Sequence, residues 1–260
     1  MQNDFLIYDN GELLSKYKGK DEVAVIPNGV NVIDGGAFSN CSIKGVVIPK
    51  GVTTIKRLAF SFCNQLKEIV LPDGVTTIEK EAFCNLRNIC EVTFPNSVTH
   101  VGNDIFEYAD PCQITVFGEI FNLDEEELHY EYDIETIKDD YGYDEEEYTA
   151  LWERVRFIVA SEIPALLLNG NYDDLYMPES LRRDIIVRAL KHKPKHENFL
   201  NMVKRDIAKI FKFLLKESDI IKFLIDNEVI TSQNIDECIR IARDNNAAEV
   251  EDLLKNSKLR

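Results

Sequence analysis

Four prolines recur at a nearly constant interval in the first half of the chain, and this periodicity constrains the fold more than any other feature. The intervals are 22, 23 and 23 residues, between Pro27, Pro49, Pro72 and Pro95. A phenylalanine follows each proline with the same spacing; these residues are Phe38, Phe60, Phe83 and Phe106. Self-similarity at a period of about 20 to 50 residues is typical of solenoids and related arrays, so we predict a repeat protein.

The residues around each proline repeat as well. A large apolar residue precedes the proline, a valine lies three positions after it, and another aliphatic residue follows three positions later. These columns are Ile26, Ile48, Leu71 and Phe94; Val30, Val52, Val75 and Val98; and Ile33, Ile55, Ile78 and Val101. The segment 113–116 begins a further unit that has no proline. So many matching columns indicate a true repeat.

Each unit predicts a short strand followed by a turn. The segment 68–71 alternates and is rich in residues that favour strands. Pro72 has no N–H to continue a ladder and therefore ends the strand, and Asp73-Gly74 turns the chain. Because a unit this small cannot bury its own apolar face, stacked units must share one core. We expect the residues before the prolines to form one buried column and the four phenylalanines another.

The repeat pattern resembles a known family. It reads Leu66-x-x-Ile69-x-Leu71-Pro72-x-x-Val75-x-x-Ile78-x-x-x-Ala82-Phe83 and is similar to the bacterial BspA-like leucine-rich repeat. The opening residues, from Phe5 to Lys20, are similar to that family's N-terminal hairpin. The resemblance covers about residues 1–118 and implies a right-handed solenoid with one parallel strand per repeat. It also implies a recognition protein, since many members of the family are surface adhesins.

Composition divides the chain into three parts. Residues 1–118 hold the hairpin cap (1–20) and four repeats of 22 to 23 residues. Residues 119–147 carry 14 acidic residues against one lysine, and the whole chain has a net charge of −16, so we interpret this segment as an acidic connector. From residue 148 the apolar spacing becomes helical, which predicts a helical domain over 148–260. The fold class is thus an α+β repeat protein, a leucine-rich-repeat β-solenoid followed by an all-α region.

The helical domain allows more detailed predictions. Ser161 is a candidate N-cap of a short helix that ends at Gly170. A second helix begins near Pro178, which suits a first helical position, and runs to Lys191. Residues 199–214 predict one amphipathic helix. The segment from residue 219 onward is similar to ankyrin-type helix pairs, which implies an ankyrin-like arrangement.

Charge and apolar patterning exclude several classes of function. The net charge of −16 argues against a free nucleic-acid or anionic-membrane binder. No stretch approaches the 18 apolar residues of a membrane-spanning helix, so we expect no membrane association. The N-terminus lacks the basic and apolar regions of a secretory signal. We therefore expect a cytoplasmic protein with reduced cysteines.

No motif of an enzyme or cofactor site is present in the sequence. There is no G-x-S-x-G elbow and no phosphate loop, and Pro194 interrupts the helix that would align His192 with His196. Two alternatives stay open: the acidic connector could hold a divalent cation, and the basic stretch 182–216, with net charge +8, could meet nucleic acid. We expect that stretch to be solvated or to face the connector. We predict no catalytic residues, metal, cofactor or small-molecule substrate.

Strand alternation defines the candidate binding site. The residues two positions before each proline should point away from the core, because successive side chains of a strand alternate. This column consists of Val25, Val47, Val70, Thr93 and, by extrapolation, Thr115. It could contact a partner, reflect strand propensity alone, or be covered by the helical domain. We predict a scaffold that binds another protein through this face, and a surface adhesin is the alternative.

Overall fold

The computed structural model describes residues 4–109, 111, 113–123, 159–170 and 179–258. The predicted acidic connector lies outside the described residues from position 124 onward, as does the start of the predicted helical domain. The described residues form a β-solenoid followed by a helical region, which confirms this part of the predicted fold class. The similarity to ankyrin-type helix pairs stays a prediction.

The solenoid consists of strands of two to five residues. Each turn contributes one strand to each of two sides, because a proline and a turn separate the two extended pieces of a repeat. In the described residues the strands are β1 (Phe5–Tyr8), β2 (Leu13–Tyr17), β3 (Val23–Val25), β4 (Val32–Ile33), β5 (Gly45–Val47), β6 (Thr54–Ile55), β7 (Glu68–Val70), β8 (Thr77–Ile78), β9 (Glu91–Phe94), β10 (His100–Val101), β11 (Gln113–Val116) and β12 (Glu119–Asn122).

The strands form two sides of the solenoid. One side is a six-stranded sheet in the order β1-β2-β4-β6-β8-β10, parallel except for the antiparallel β1-β2 pair, which is the predicted hairpin. The other side has two ladders, β3-β5 and β7-β9-β11-β12. β5 and β7 are neighbours with no hydrogen-bonded ladder between them. β12 pairs antiparallel with β11, so the sheet continues four residues into the segment that we interpreted as a connector.

The predicted core columns are buried. The four residues before the prolines are 3 to 8% exposed, and the four phenylalanines are fully buried. The phenylalanine rings stack from turn to turn with centroid separations of 4.9, 5.8 and 5.6 Å. Tyr17 of β2 stacks on Phe38 at 5.3 Å. The N-terminal hairpin therefore extends the aromatic column and closes that end of the core.

Two residues in each turn have a left-handed backbone, and they flank the core phenylalanine. The positions two before it are Gly36, Leu58, Glu81 and Asp104, and the positions two after it are Asn40, Phe62, Asn85 and Tyr108; φ lies between 53° and 66° at all of them. Glycine and asparagine adopt this conformation readily, whereas bulky residues do so at a cost. The stacked solenoid therefore holds Leu58 and Phe62 in an unfavourable backbone conformation.

The helical region starts beside the last turn of the solenoid. Its described helices are α1 (159–164), which continues into a π-helical turn (Ala165–Asn169), α2 (Glu179–Lys191), α3 (Glu197–Arg205), α4 (Ile207–Ile210), a 3₁₀ turn (Phe211–Leu214), α5 (Ser218–Asp226), α6 (Ile235–Asp244) and α7 (Ala248–Lys258). None of the helices described is long and apolar enough to cross a membrane. The end of α2 at Lys191 confirms the prediction.

The single amphipathic helix predicted over 199–214 is wrong. The apolar stripe is buried as expected, but the backbone leaves helical geometry at Asp206, with φ −103° and ψ 18°. The Asp206 side chain is 6% exposed and forms salt bridges with Arg205 and Lys209. A buried carboxylate must be paired to be tolerated, and the apolar spacing gives no sign of this requirement.

The helical region covers the C-terminal end of the solenoid. β10 is the last strand of its sheet, and the side-chain amide of Asn169 occupies the place of a further strand. The Val101 N–H donates to Asn169 Oδ1, and Asn169 Nδ2 donates to the Val101 carbonyl, both at 2.6 Å. Asn198 Nδ2 donates to the Thr99 carbonyl at 3.0 Å. Since an open strand edge is a template for pairing with other chains, these side chains close the solenoid.

Ser161 belongs to the same cap. In the preceding turns, the N–H of each core phenylalanine donates to a backbone carbonyl of the next turn; the pairs are Phe38 with Ala59, Phe60 with Ala82 and Phe83 with Ile105. Phe106 is in the last such turn, and its N–H donates to Ser161 Oγ at 3.2 Å. Residues 159 and 160 are already helical, so the prediction that Ser161 is an N-cap is wrong. Its hydroxyl instead provides the hydrogen-bond acceptor for the last core phenylalanine of the solenoid.

Candidate functional site

The predicted binding residues lie on the outer face of the two ladders β3-β5 and β7-β9-β11-β12. Val25, Val47 and Val70 are 58, 52 and 53% exposed, and Thr93 and Thr115 are half-buried. Their strand neighbours Ile69 and Val92 are buried. The alternation from which we predicted this column is therefore present in the structure.

Strand register arranges the column in two groups. Val25 lies directly opposite Val47, and Val70, Thr93 and Thr115 follow one another in register across β7, β9 and β11. No ladder joins Val47 to Val70, because β5 and β7 are not hydrogen-bonded. The continuous row expected from the sequence is thus two shorter rows that share one face.

A sixth member of the row was missed from the sequence. Ile120 of β12 is paired with Thr115 and is 50% exposed, so it extends the row past the last repeat. Its location follows from the turn at Phe117-Gly118, where both residues have positive φ. A glycine between two alternating segments is a hairpin signal, but the predicted solenoid ends at residue 118, before β12.

A second row runs parallel to the first on the same face. It comprises the strand residues two positions earlier, together with the partner of Gln113 on β12: Val23, Gly45, Glu68, Glu91, Gln113 and Asn122. Gln113 and Asn122 hydrogen-bond to each other through their side chains at 2.9 Å. In both rows the charged residues are Glu68 and Glu91. The face is therefore apolar at its N-terminal end and carries negative charge in the middle.

The described helical residues leave the valines uncovered. The helical region reaches this sheet at its other end, where Arg188 Nη2 donates to the Ile120 carbonyl at 2.8 Å. Arg188 Nε also donates to Glu119 Oε1 at 2.9 Å, and His192 Nε2 lies 2.7 Å from Glu119 Oε2. The first residues of the predicted acidic connector, Glu119 and Ile120, thus contact the basic stretch. Residues 124–147 of that segment lie outside the described residues.

The Glu119 carboxylate is the electrostatic centre of this contact. Burial raises its pKa, but the hydrogen bonds from Arg188 and His192 outweigh burial and hold the pKa below its ordinary value. The carboxylate is therefore ionised at neutral pH and tied to two groups of α2 and its following turn. This contact fixes β12, and with it Ile120, against the helical region.

One aromatic residue of the basic stretch is exposed. Phe199 and Phe211 are buried, whereas Phe213 is 43% exposed. Arg183 lies 4.7 Å and Lys212 4.9 Å from the centre of its ring. Cations over an aromatic face interact favourably with it. The Phe213 ring is therefore in contact with the cationic groups of Arg183 and Lys212.

The described part of the chain holds neither a metal-binding cluster nor an activated thiol at Cys63 or Cys238. No group of three His, Cys, Asp or Glu residues suited to a metal occurs among the residues described. Burial raises the pKa of the Cys63 and Cys238 thiols to about 12, so neither thiol is a ready nucleophile at neutral pH. An open groove of about 570 Å³ is lined by Lys80, residues 99–104 and Asn169.

Comparison with known families agrees with the fold. Residues 18–135 match the model of the BspA type leucine rich repeat region, in six copies. Together with the stacked strands and the hairpin, this match defines the class: these residues form a leucine-rich repeat region of the BspA type. Such proteins generally mediate binding between proteins. None of the curated proteins is similar enough in sequence to count as a relative.

Several solved structures are similar to this chain. A leucine-rich repeat protein from Bacteroides capillosus ATCC 29799 is 30% identical; the match covers 43% of this chain and 91% of that one, with a TM-score of 0.38. The leucine rich repeat protein of T. pallidum is 21% identical over 42% of this chain and 67% of its own, with a TM-score of 0.34. A leucine rich cell surface protein from Faecalibacterium prausnitzii A2-165 is 23% identical over 43% and 37%, with a TM-score of 0.35.

Proposed function

We propose that the chain is a non-catalytic scaffold that binds another protein through the outer face of β3, β5, β7, β9, β11 and β12. One observation carries the proposal: Val25, Val47, Val70 and Ile120 are each at least half exposed on one face of a sheet. Strand propensity explains β-branched residues in general. It gives no reason for four aliphatic side chains to face water in two rows of one face.

The architecture suits this role. Repeat proteins bind through extended faces whose side chains come from successive turns. Here the inward side of the same strands is packed in the core, and the C-terminal end of the solenoid is closed by Asn169 and Ser161. A surface supported in this way needs little reorganisation on binding, which reduces the entropic cost of association.

The test is a pair of substitutions in adjacent turns, Val47→Glu with Val70→Glu. Both side chains are exposed, so the variant should fold, which circular dichroism will show. Affinity capture from native lysate, quantified by mass spectrometry, should show the bound partner reduced about tenfold or more, the equivalent of about 1.4 kcal/mol. The matched control is Thr53→Glu with Thr76→Glu, which adds the same charge to the same turns at exposed positions elsewhere. Equal recovery by the valine variant and the wild type would exclude this face.

The compartment is a separate proposal. We propose that the protein acts in the cytoplasm, and its thiols support this: Cys41, Cys63, Cys84, Cys90 and Cys238 are free, whereas proteins of oxidising compartments usually pair their cysteines. A surface adhesin, the alternative, would use the same face on an external ligand. Fractionation of cells followed by detection with an antibody distinguishes the two, since an adhesin would appear in the external fraction.

A further inference from the structure

Two glutamates lie side by side on the proposed binding face. Glu68 of β7 and Glu91 of β9 are paired in register on adjacent parallel strands, and both are exposed. Neighbouring strands are about 4.8 Å apart. Like charges placed directly opposite each other on a sheet are destabilising, so this pair does not serve the stability of the solenoid.

Elsewhere the solenoid pairs charges of opposite sign between turns. Glu22 contacts Lys44, Lys56 Nζ lies 2.9 Å from Asp34 Oδ1, and Arg57 Nη2 lies 2.7 Å from Glu81 Oε2. Neither Glu68 nor Glu91 forms a salt bridge with any described residue. In these three contacts, residues 22 to 24 positions apart in sequence carry opposite charges. Glu68 and Glu91 are separated by a similar distance in sequence but carry the same charge, in the middle of the exposed face.

The surroundings of the glutamates indicate what would complement them. Val70 and Thr93 follow them on the same strands, and Glu91 is paired on its other side with Gln113, whose side chain hydrogen-bonds to Asn122. The two carboxylates are therefore a double negative charge on an otherwise neutral face. An occupant needs a cation at this point and apolar groups along the valines.

We propose that this face binds a segment of a partner protein that places a lysine or arginine side chain between Glu68 and Glu91 and apolar side chains along Val25, Val47 and Val70. The inference rests on the proposed function and adds the chemistry of the partner. Hydrogen bonds between a cationic side chain and carboxylates are shorter and stronger than neutral ones. Binding would also remove the repulsion between the two glutamates.

A second copy of this chain is a poorer occupant. Packing the same face of two copies across a two-fold axis through the middle of the rows would bring four glutamates together, because such an interface is self-complementary. A stable interface also buries about 800 Å² on each side, which is more than a narrow line of exposed valines offers. A partner of opposite charge meets neither obstacle.

The experiment is a selection from a displayed library of random 12-residue peptides. The full chain is compared with the charge-reversed variant Glu68→Lys with Glu91→Lys. The matched control is Asp226→Lys with Glu228→Lys, which reverses two exposed acids of the helical region. We expect the wild type and the control to select peptides enriched in lysine or arginine within apolar sequence, and the reversed variant to select aspartate or glutamate instead. A lysine-to-glutamate change in a selected peptide should weaken its binding to the wild type about tenfold or more. The same change should strengthen its binding to the charge-reversed variant.

Several outcomes would overturn the inference. One is selection of peptides no more basic than the library, or a preference that charge reversal leaves unchanged. If those peptides still lose binding to the Val47→Glu, Val70→Glu variant, the proposed function stands and this inference alone fails. Sedimentation that shows a dimer of wild type but not of the valine variant would assign the face to a second copy. Calcium binding in a titration with CaCl₂ that disappears in Glu68→Gln with Glu91→Gln would assign the pair to a metal.

Stability separates binding from folding. Because the glutamates repel each other, Glu68→Gln with Glu91→Gln should unfold at the same denaturant midpoint as the wild type or at a higher one. The same variant should bind the selected basic peptides more weakly. A lower midpoint would mean that the pair supports the fold, which contradicts the inference.

Discussion

Each phenylalanine of the core column contacts the ring of the turn before it and the ring of the turn after it. Phe60 lies 4.9 Å from Phe38 and 5.8 Å from Phe83, centroid to centroid. Fully buried aromatic residues contribute through the apolar area that they remove from water and through ring stacking. The middle rings are therefore the residues on which neighbouring turns depend most.

Replacing a middle ring should be costly. We expect Phe60→Ala and Phe83→Ala each to lower the free energy of unfolding by about 3–5 kcal/mol, since each leaves a cavity within the stack. Denaturant unfolding followed by circular dichroism measures this loss. The matched control is Phe62→Ala, the same change at a side chain that is 44% exposed, which should cost far less. Similar losses at Phe60 and Phe62 would contradict the stacked core.

Phe62 offers a second prediction because of its backbone. Its φ is 59°, in a column whose equivalent residues in the first and third turns are Asn40 and Asn85. Asparagine tolerates the left-handed region better than phenylalanine does. We expect Phe62→Asn to raise the free energy of unfolding by about 0.5–1 kcal/mol, measured by denaturant midpoint. The reciprocal change Asn40→Phe should lower the free energy of unfolding. If Phe62→Asn lowered it and Asn40→Phe raised it, packing of the phenylalanine ring would outweigh the backbone strain.

At the scale of elements, the solenoid depends on a closed end. β10 has an exposed peptide edge that a further repeat would pair, and the π-helical turn at Ala165–Asn169 supplies a side-chain amide instead. Gly170 ends this turn with φ 72°, and a Cβ there would lie 2.6 Å from the Asn198 carbonyl. Glycine is therefore required at position 170 for Asn169 and Asn198 to lie close enough to hydrogen-bond Val101 and Thr99 at the same time.

Removing the amide should loosen the last turn. We expect Asn169→Ala to lower the free energy of unfolding by about 1–3 kcal/mol, because it leaves both Val101 backbone groups without partners. Hydrogen exchange should rise over residues 98–106 and stay unchanged over 24–48, since each repeat contacts mainly its neighbours. Asn245→Ala is the control, because Asn245 makes an exposed hydrogen bond to Ile241. Faster exchange throughout the solenoid would argue against an end cap.

At the scale of the whole molecule, Glu119 joins the sheet to the helical region. Its carboxylate accepts from Arg188 on α2 and meets His192 just after it. Its pKa is lower in the folded state, so the ionised form is stabilised there. A group of this kind adds stability above its unfolded pKa and loses it as the pH falls through the folded pKa.

The junction should therefore weaken in acid. We expect the difference in free energy of unfolding between the wild type and Glu119→Gln to shrink as the pH falls from about 5 to below about 4. Denaturant unfolding at a series of pH values measures it. The control is Glu228→Gln, the same substitution at an exposed position of the helical region. A difference that grows in acid would mean that the Glu119 pKa is raised rather than lowered.

The periodic part of this protein could be read from its residues. Proline spacing located the strand ends, and alternation assigned Ile69 to the core and Val70 to the surface, because both rules are local properties of the backbone. A different local rule, the preference of proline for a first helical position, located α2. Local rules failed at Ser161, whose hydroxyl accepts a hydrogen bond from Phe106, a residue far away in sequence. They also failed at Asp206, a buried carboxylate whose charge must be paired.

What only the tertiary structure decided is how the ends and the face are completed. The hydrogen bonds of Asn169 to Val101 join residues 68 positions apart, and no local pattern marks them. The addition of Ile120 to the exposed row depends on the antiparallel pairing of β12, and the opposition of Glu68 to Glu91 depends on strand register. Sequence periodicity determined the repeating unit because each unit has the same local needs; the contacts that end the repeat are singular, and they arise only once the chain has folded.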